Sequence, residues 1–365
     1  MTTVHDAGRV KPGAVPVSVV VCNYNGARYL AECLQSVRAL EGFVDEVIVV
    51  DNASTDDSRA IAEREGARVL AMDRNDGPCP ARNAGMRAAR NRWVLALDND
   101  AVCTPDMLTR LCAAVASDAN IVIAQPRSVF ESGRDRVHYD GGSLHYAGLI
   151  GLRNFYVPLA EARGTGVVSV DCAVAVALLV DRDALLEAGG YDETMFILFE
   201  DLDLSFRLRA SGRRIVSVEE AIVLHKGGTP GISFREGPAY PGSRVFFHSR
   251  NRWTYMAKCF RWRTLVVASP GLALYELAWF VFACLAGAPH QWLRGKWHFV
   301  RLGGHVRRER KRFQSRRTVS DRELLVGGPL TITPSLKSGG LKRTFLRALD
   351  GALSLWWGIV RGLAA

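Results

Sequence analysis

Short apolar runs closed by polar turns recur through the first third of the chain. Val17-Ser18-Val19-Val20-Val21 leads into Cys22-Asn23-Tyr24-Asn25-Gly26, which predicts a buried strand and a turn. Leu30, Cys33, Leu34 and Val37 then fall on a helical period, predicting a helix over 27–39. Glu46–Val50 predicts a second strand, followed by the polar turn Asp51–Asp56. Residues 57–65 read as a helix, 67–72 as a third strand, 81–90 as a helix, 93–97 as a strand and 105–116 as a helix. Strands alternating with helices predict a parallel, doubly wound sheet. Three of its strands end in Asn/Asp turns on one side, the side on which open α/β sheets bind ligands.

Beyond residue 120 the alternation loosens into a glycine-rich stretch. Val167–Val180, interrupted by Asp171, predicts a strand, a tight bend and a second strand. Gly189-Gly190-Tyr191-Asp192-Glu193 reads as a turn, and 201–210 as a helix with an acidic start and Gly212 behind its end. Ile215–Val218 and Ala221–Leu224 read as two short strands before His225-Lys226-Gly227-Gly228. Thr264–Ala288 is apolar except for Glu276, long enough to span a bilayer, and carries Pro270. The chain closes with an amphipathic stretch, 345–363.

Charge divides the 365 residues unevenly. The net charge is +10, yet residues 1–229 hold 24 lysines and arginines against 31 acids, a net of −7. Residues 230–365 hold 23 against 6, a net of +17. Within them, 289–317 carries ten basic residues and one glutamate, with Trp292, Trp297 and Phe299 interleaved. Such a tail calls for an anionic partner, and the tryptophans beside an apolar segment point to a membrane surface rather than nucleic acid. The eight cysteines form no Cys-x-x-Cys pair or zinc spacing, which predicts free thiols in a reducing compartment. Residues 1–16 read as a flexible tail without the apolar core of a secretory signal.

The chemistry centres on Asp98-Asn99-Asp100, directly after the apolar run 93–97. Two carboxylates at the C-terminal end of a buried strand offer hard oxygen ligands suited to Mg²⁺ or Mn²⁺, ions that commonly neutralise phosphate groups. The alternative is an acidic turn that holds no metal.

Together, Cys22-Asn23-Tyr24-Asn25-Gly26, Asp51-Asn52-Ala53-Ser54-Thr55-Asp56, Ala81-Arg82-Asn83-Ala84-Gly85, Asp98-Asn99-Asp100, Gly189-Gly190-Tyr191-Asp192-Glu193, Glu200-Asp201-Leu202-Asp203 and His225 resemble the inverting family-2 glycosyltransferases. They are especially similar to the bacterial rhamnosyltransferase-like branch, and the resemblance covers roughly 17–263. It implies an α/β GT-A fold and a nucleotide-diphospho-sugar donor, dTDP-rhamnose-like or a UDP-sugar. Asp98 and Asp100 would then hold Mn²⁺ or Mg²⁺, Asp98 also reaching the donor, with His225 as a third ligand or else a strand-end histidine bonded to backbone. The resemblance implies Asp51 and Asn23 as contacts to base and ribose. Arg82 and Asn83, placed at a helix start, would hold the diphosphate. Asp201 would act as general base, with Glu200 the neighbouring candidate for that role and a helix cap the structural alternative for Asp201. Proline-rich Asp76–Pro80 departs from the glycine-rich turn usual there, and Arg250-Asn251 resembles a late motif near the family's active site.

The expected organisation is a flexible tail at 1–16, a transferase domain at 17–263 and a basic, amphipathic, membrane-associating helical region at 264–365. That region would lie in the membrane plane or span it, with Trp292, Trp297, Trp356 and Trp357 at headgroup depth. The protein is expected on the cytoplasmic face of the cell membrane, peripheral or monotopic, with a glycan or lipid-linked glycan as acceptor and no nucleic-acid partner. The alternatives are a sugar nucleotidyltransferase, which wants a basic glycine-rich loop after the first strand, and a binding scaffold built on the basic C-terminal third.

Overall fold

The apolar runs at 17–21, 46–50 and 93–97 become the centre of a ten-stranded mixed sheet. The computed structural model describes residues 15–40, 42–227, 240–331 and 340–364, so most of the expected N-terminal tail and Gly228 lie outside the described residues. The chain divides into two compact units. The first holds the chain up to Gly141, Arg153–Leu204 and Arg213–Gly227; the second holds Gly142–Leu152, Ser205–Gly212 and the chain after Gly227.

In the first unit, β1 (Val17–Asn23) runs parallel to β2 (Val44–Asp51) on one side and to β4 (Trp93–Asp98) on the other, with β3 (Arg68–Ala71) beyond β2. Val19, Val20, Ile48, Val50, Val94 and Leu95 are fully buried, as central strands covered by helices on both faces require. The register sets Asn23 beside Asp51 and Cys22 beside Asp98, so three strand ends share one edge. Next come β5 (Ala101–Cys103), β6 (Ile121–Phe130) and β7 (Val137–Tyr139), and later in the chain β10 (Val167–Val170), β11 (Ala177–Asp181) and β12 (Arg214–His225). Antiparallel β11 lies between β4 and β6, β12 runs parallel to β6, and β10 closes that side.

Two local differences from the sequence expectation bear on the site. The helix expected at 81 begins at Pro78, because proline is suited to the first helical position and Gly77, at φ 91°, makes the turn before it. A Cβ on Gly77 would lie 2.4 Å from the Phe196 carbonyl oxygen, so only glycine admits that approach. The two strands expected at 215–218 and 221–224 are one strand, β12, with an irregularity opposite Pro126 and Arg127.

The second unit pairs β8 (Gly142–His145) with β9 (Leu149–Leu152) and β13 (Leu325–Val326). Its helices include Gly242–Cys259, Trp262–Leu285, Pro289–Arg301, Gly303–Gln314 and Gly340–Val360. The boundary expected at 263 falls inside this unit. Glu276, the single acid of the apolar helix Trp262–Leu285, accepts from Arg252 and Trp253 at 2.8 Å and from Trp292 at 2.8 Å, and pairs with Lys296 at 2.6 Å. This hub ties the helix Gly242–Cys259 to the helices behind it. Arg250-Asn251 lie on that same helix.

The tryptophans do not share one environment, contrary to expectation. Trp357 is buried, stacks on Tyr146 at 4.7 Å between centroids and donates its Nε1–H to Leu325 O. Trp292 and Trp356 are half-buried, their Nε1–H groups donating to Glu276 and to Val267 O. Trp297 remains 61% exposed. Indole hydrogen bonds within the protein hold three of the four, and of these only Trp357 is buried. Trp357→Ala is therefore expected to destabilise the protein by about 3–5 kcal/mol, and Trp297→Ala by about 0.5 kcal/mol at most, read by urea denaturation; equal effects would contradict this packing.

Candidate active site

The turns after β1 and β2 are knitted together by short polar side chains. Asn23 donates to Asp51 at 3.2 Å and to Ser54 at 3.1 Å, Asp56 accepts from the Ala27 N–H at 2.9 Å, and Ser58 accepts from the Gly26 N–H at 3.1 Å. Asn25 and Ala53 carry positive φ, 47° and 62°, where the chain reverses. Asn99 reaches across to donate to Asn23 Oδ1 at 2.7 Å. A Cβ on Gly26 would lie 2.0 Å from the Asn99 amide nitrogen, so glycine is what leaves this bridge room.

Asp51 is fully buried at the base of these turns. Its Oδ2 accepts from Arg59 at 2.6 Å and from the Ser54 N–H at 3.1 Å, and its Oδ1 from Asn23. Burial acts to raise its pKa, but the bonds from Ser54, Arg59 and Asn23 outweigh it and hold the carboxyl below its usual range.

At the end of β4, Asp98 and Asp100 meet His225 from the end of β12. Asp100 Oδ2 lies 3.2 Å from His225 Nε2 and accepts from the Gly227 N–H at 3.2 Å. One ligand atom from each of Asp98, Asp100 and His225 lies within 4.8 Å of the other two. Burial, then the neighbouring Asp100, push Asp98 up to about 6 against the pull of Arg82. Burial also acts to raise Asp100, but the hydrogen bond and charge of His225 hold it down. Two carboxylates and an imidazole converging at this distance form a donor set that fits Mn²⁺ or Mg²⁺, the imidazole favouring Mn²⁺.

Arg82 joins this triad to the second acidic group. Its guanidinium is buried, donates to Asp98 at 2.9 Å, lies 3.7 Å from Glu200 and stands over the Tyr191 ring. The Glu200 contact is within reach of charge attraction but too long for a hydrogen bond, and Arg82 Nη1 has no hydrogen-bond partner among the described residues. Burial opposes the guanidinium charge, yet Asp98, Tyr191 and Asp201 outweigh it. Because the helix starts at Pro78, Arg82 and Asn83 sit in its second turn and their backbone N–H groups belong to the helical ladder. The expected use of those amides is thereby corrected. Asn83 accepts from the Tyr191 N–H at 2.8 Å and donates to Tyr191 O and Glu193 at 2.9 Å, so its amide holds the 190–193 turn in place.

Glu200 and Asp201 open the helix Glu200–Ala210, entered through Leu198 and Phe199 at φ 70° and 72°. Such left-handed positions for bulky residues are strained and cluster at functional sites. Asp201 therefore lies inside the first turn rather than at its cap. Its Oδ2 accepts from the Ala175 N–H at 3.0 Å, and its Oδ1 is shielded and has no hydrogen-bond partner among the described residues. Burial raises both carboxyls, and the Asp201 charge helps push Glu200 up to about 8. At neutral pH Glu200 keeps its proton, and Asp201, bonded to an N–H, is the more readily ionised partner.

Residues 18–175 match the family described as glycosyl transferase family 2. A succinoglycan biosynthesis protein, ExoO of Rhizobium meliloti, is 39% identical over 132 residues, 35% of this chain and 36% of that protein. The chain spans less than half the length of the curated relatives ExoO, GlyG and the pre-mycofactocin glycosyltransferase. Among solved structures, S. aureus TarS 1–349 in complex with UDP-GlcNAc matches with a TM-score of 0.53 at 16% identity, over 93% of this chain and 89% of that one. GalNAc-T7 with UDP, GalNAc and Mn²⁺ matches with a TM-score of 0.53 at 17% identity, over 71% of this chain and 51% of that one. The mixed sheet and these likenesses are consistent with the GT-A fold.

Asn99 and Tyr191 appear within the sequence motifs but with no role of their own, and the Ala175 N–H is not reached from the sequence. Asn99 was legible in principle, between two acids and opposite a glycine turn; the Ala175 amide has no sequence signal.

The raised acidic pair makes stability depend on pH. Glu200 titrates at about 8 in the fold against 4.5 when unperturbed, so its protonated form stabilises the fold below 4.5 and that contribution is lost as pH rises through 8. Glu200→Gln, which cannot ionise, is expected to flatten the decline of Tm across this window in metal-free buffer. A decline parallel to that of the wild type would contradict the assignment.

Proposed function

We propose that this protein is a metal-dependent, inverting glycosyltransferase that moves a sugar from a dTDP-rhamnose-like or UDP-sugar donor to a hydroxyl of an envelope glycan or its membrane-linked precursor. The observation that carries this reading is the convergence of Asp98, Asp100 and His225 beside Arg82, which is in turn close enough to Asp201 for the two charges to act on each other. It is supported by the family-2 match, by ExoO, named for succinoglycan biosynthesis, and by the Mn²⁺ and UDP in the GalNAc-T7 structure.

Asp98, Asp100 and His225 would hold a divalent ion, which when bound would supply positive charge to the leaving diphosphate. Arg82 adds a fixed guanidinium to the same side, its Nη1 available to a phosphate oxygen. Asp201 takes the proton of the acceptor hydroxyl as that oxygen bonds to the anomeric carbon, and the electron pair of the broken bond leaves with the diphosphate. One displacement inverts the anomeric configuration. Asn23 and Asp51 serve the ribose and base end. Among the described residues Asp51 Oδ1 accepts only from Asn23 and keeps acceptor capacity, but the carboxyl is fully buried, so a direct contact with an imide requires a neighbour to move, and the half-exposed Arg59 is the partner able to swing away. Two acids and a shielded carboxylate disfavour the nucleotidyltransferase reading, which needs a basic loop where Asn23–Gly26 stands.

Attachment to the cytoplasmic membrane face is part of the same proposal. The helix Trp262–Leu285 is long and apolar enough to cross a membrane, and its Val266, Leu277, Val281 and Leu285 are exposed. Leu293, Trp297 and Val300 are exposed on the next helix, within the basic segment 289–317. Apolar side chains among arginines suit an interface in which the helices lie in plane.

Asp201→Asn is expected to leave binding of UDP or dTDP nearly unchanged while turnover falls about 10²–10⁴-fold. Asp98→Asn, Asp100→Asn and EDTA treatment should each abolish transfer, with Mn²⁺ restoring only the EDTA-treated enzyme. NMR of the product should show inversion; retention, or full turnover in EDTA, would refute the mechanism. For the membrane, Leu277→Glu/Val281→Glu should lose sedimentation with anionic phospholipid vesicles at an unchanged Tm. Undiminished sedimentation, or stronger binding of the wild type to DNA than to vesicles, would refute the attachment.

A further inference from the structure

The histidine of the candidate metal triad has a second histidine behind it. His225 Nδ1 lies 3.1 Å from His138 Nδ1, and the two rings are stacked at 5.0 Å between centroids and 12° between planes. Both residues are buried, at 7% and 8% exposure. His138 is held by neighbouring rings, with Phe130 at 4.5 Å and Tyr139 at 4.1 Å between centroids. Its position on the strand is also unusual. Tyr139 pairs with Ser128 and Val137 with Val129, so His138 is the extra residue of a bulge, and Val137, His138 and Tyr139 are all buried instead of alternating. Bulges re-aim a side chain out of the regular pleat and are common beside active sites.

We infer that His138 is a positioning residue that fixes the tautomer of His225, so that the Nε2 lone pair of His225 faces the cation site. The inference rests on the reading of Asp98, Asp100 and His225 as metal ligands. A neutral imidazole carries one N–H, and a nitrogen that donates its lone pair to a cation cannot also carry that proton. When Nε2 gives its lone pair to the cation instead of donating to Asp100, the proton must reside on Nδ1, and a buried N–H needs an acceptor. His138 Nδ1 stands at hydrogen-bond distance and accepts it when its own proton is on Nε2. No proton is gained or lost in this arrangement; each ring carries one. Partners behind ligating histidines are commonly carboxylates or carbonyls, and their loss typically weakens metal binding by about 10–100-fold.

The test is Mn²⁺ affinity of the full chain, measured by the EPR signal of free Mn²⁺ during titration with the metal alone. Wild type should bind, and His225→Ala should bind far more weakly; wild type that does not bind, or His225→Ala that binds equally, would overturn both the metal reading and this inference. His138→Phe keeps the ring packing but removes the acceptor, and its Kd should rise about 10–100-fold. His138→Asn, which offers an oxygen near the place of Nδ1, should recover most of that loss, a rescue that packing alone would not give. Wild-type affinity in His138→Phe alongside a defective His225→Ala would overturn the inference and leave the metal triad standing. Should the substitutions unfold the protein, ¹⁵N NMR of the wild type with Mg²⁺ decides: a proton on His225 Nδ1 and none on His138 Nδ1 supports the inference, and the opposite pattern overturns it.

Discussion

A single buried guanidinium organises the acidic half of this site. Arg82 lies out of water between Asp98 and Glu200, with Asp201 near enough to act on its charge. Without it, the carboxylates gathered at the ends of β4 and the helix Glu200–Ala210 would face one another in a low-dielectric interior, where like charges repel strongly. With it, charge is balanced only in part: the Arg82 Nη1 hydrogens, the Asp201 Oδ1 and the raised carboxyls of Asp98 and Glu200 remain as unsatisfied polar capacity. A protein interior rarely tolerates that unless a ligand completes it. The proposed dication, diphosphate and hydroxyl proton would fill that capacity.

The architecture explains how such a group is assembled from distant sequence. Parallel β1, β2 and β4 end on one edge because their crossover helices return each strand to the same starting side. Antiparallel β11 and the strand β12 then bring Ala175 and His225 to that edge from residues more than seventy positions further on. The turns are fixed by Asn, Ser and Asp side chains bonded to one another, so the edge does not depend on ligand for its shape. Strain at Leu198 and Phe199 is confined to the entry of the helix that presents Glu200 and Asp201.

Much of this was legible in the sequence, for a physical reason. Val19, Val50 and Leu95 belong to strands covered on both faces, which must be continuously apolar, and the turns behind them must be polar. What was missed shares the opposite property. β6 contains Gln125, Arg127 and Ser128, all buried, and Arg127 is paired with Asp140 at 2.9 Å, so polarity there signals a partner rather than solvent. The helix Gly242–Cys259 likewise buries Ser249, Asn251, Arg252, Thr254 and Lys258, which erases the periodicity by which helices are read. Trp357 failed as a membrane marker because an indole beside an amphipathic stretch reads alike whether it faces lipid or, as here, Tyr146 and Leu325. His138 escaped because a bulge leaves no composition of its own.

The most direct measurement is a crystal structure of the full chain soaked with UDP and Mn²⁺, with anomalous data collected at the manganese edge. The account predicts one strong anomalous peak within coordination distance of Asp98, Asp100 and His225, a diphosphate against Arg82, and Asp201 Oδ1 left facing the open side of the site. A peak elsewhere, or UDP bound with no manganese at these three residues, would contradict it.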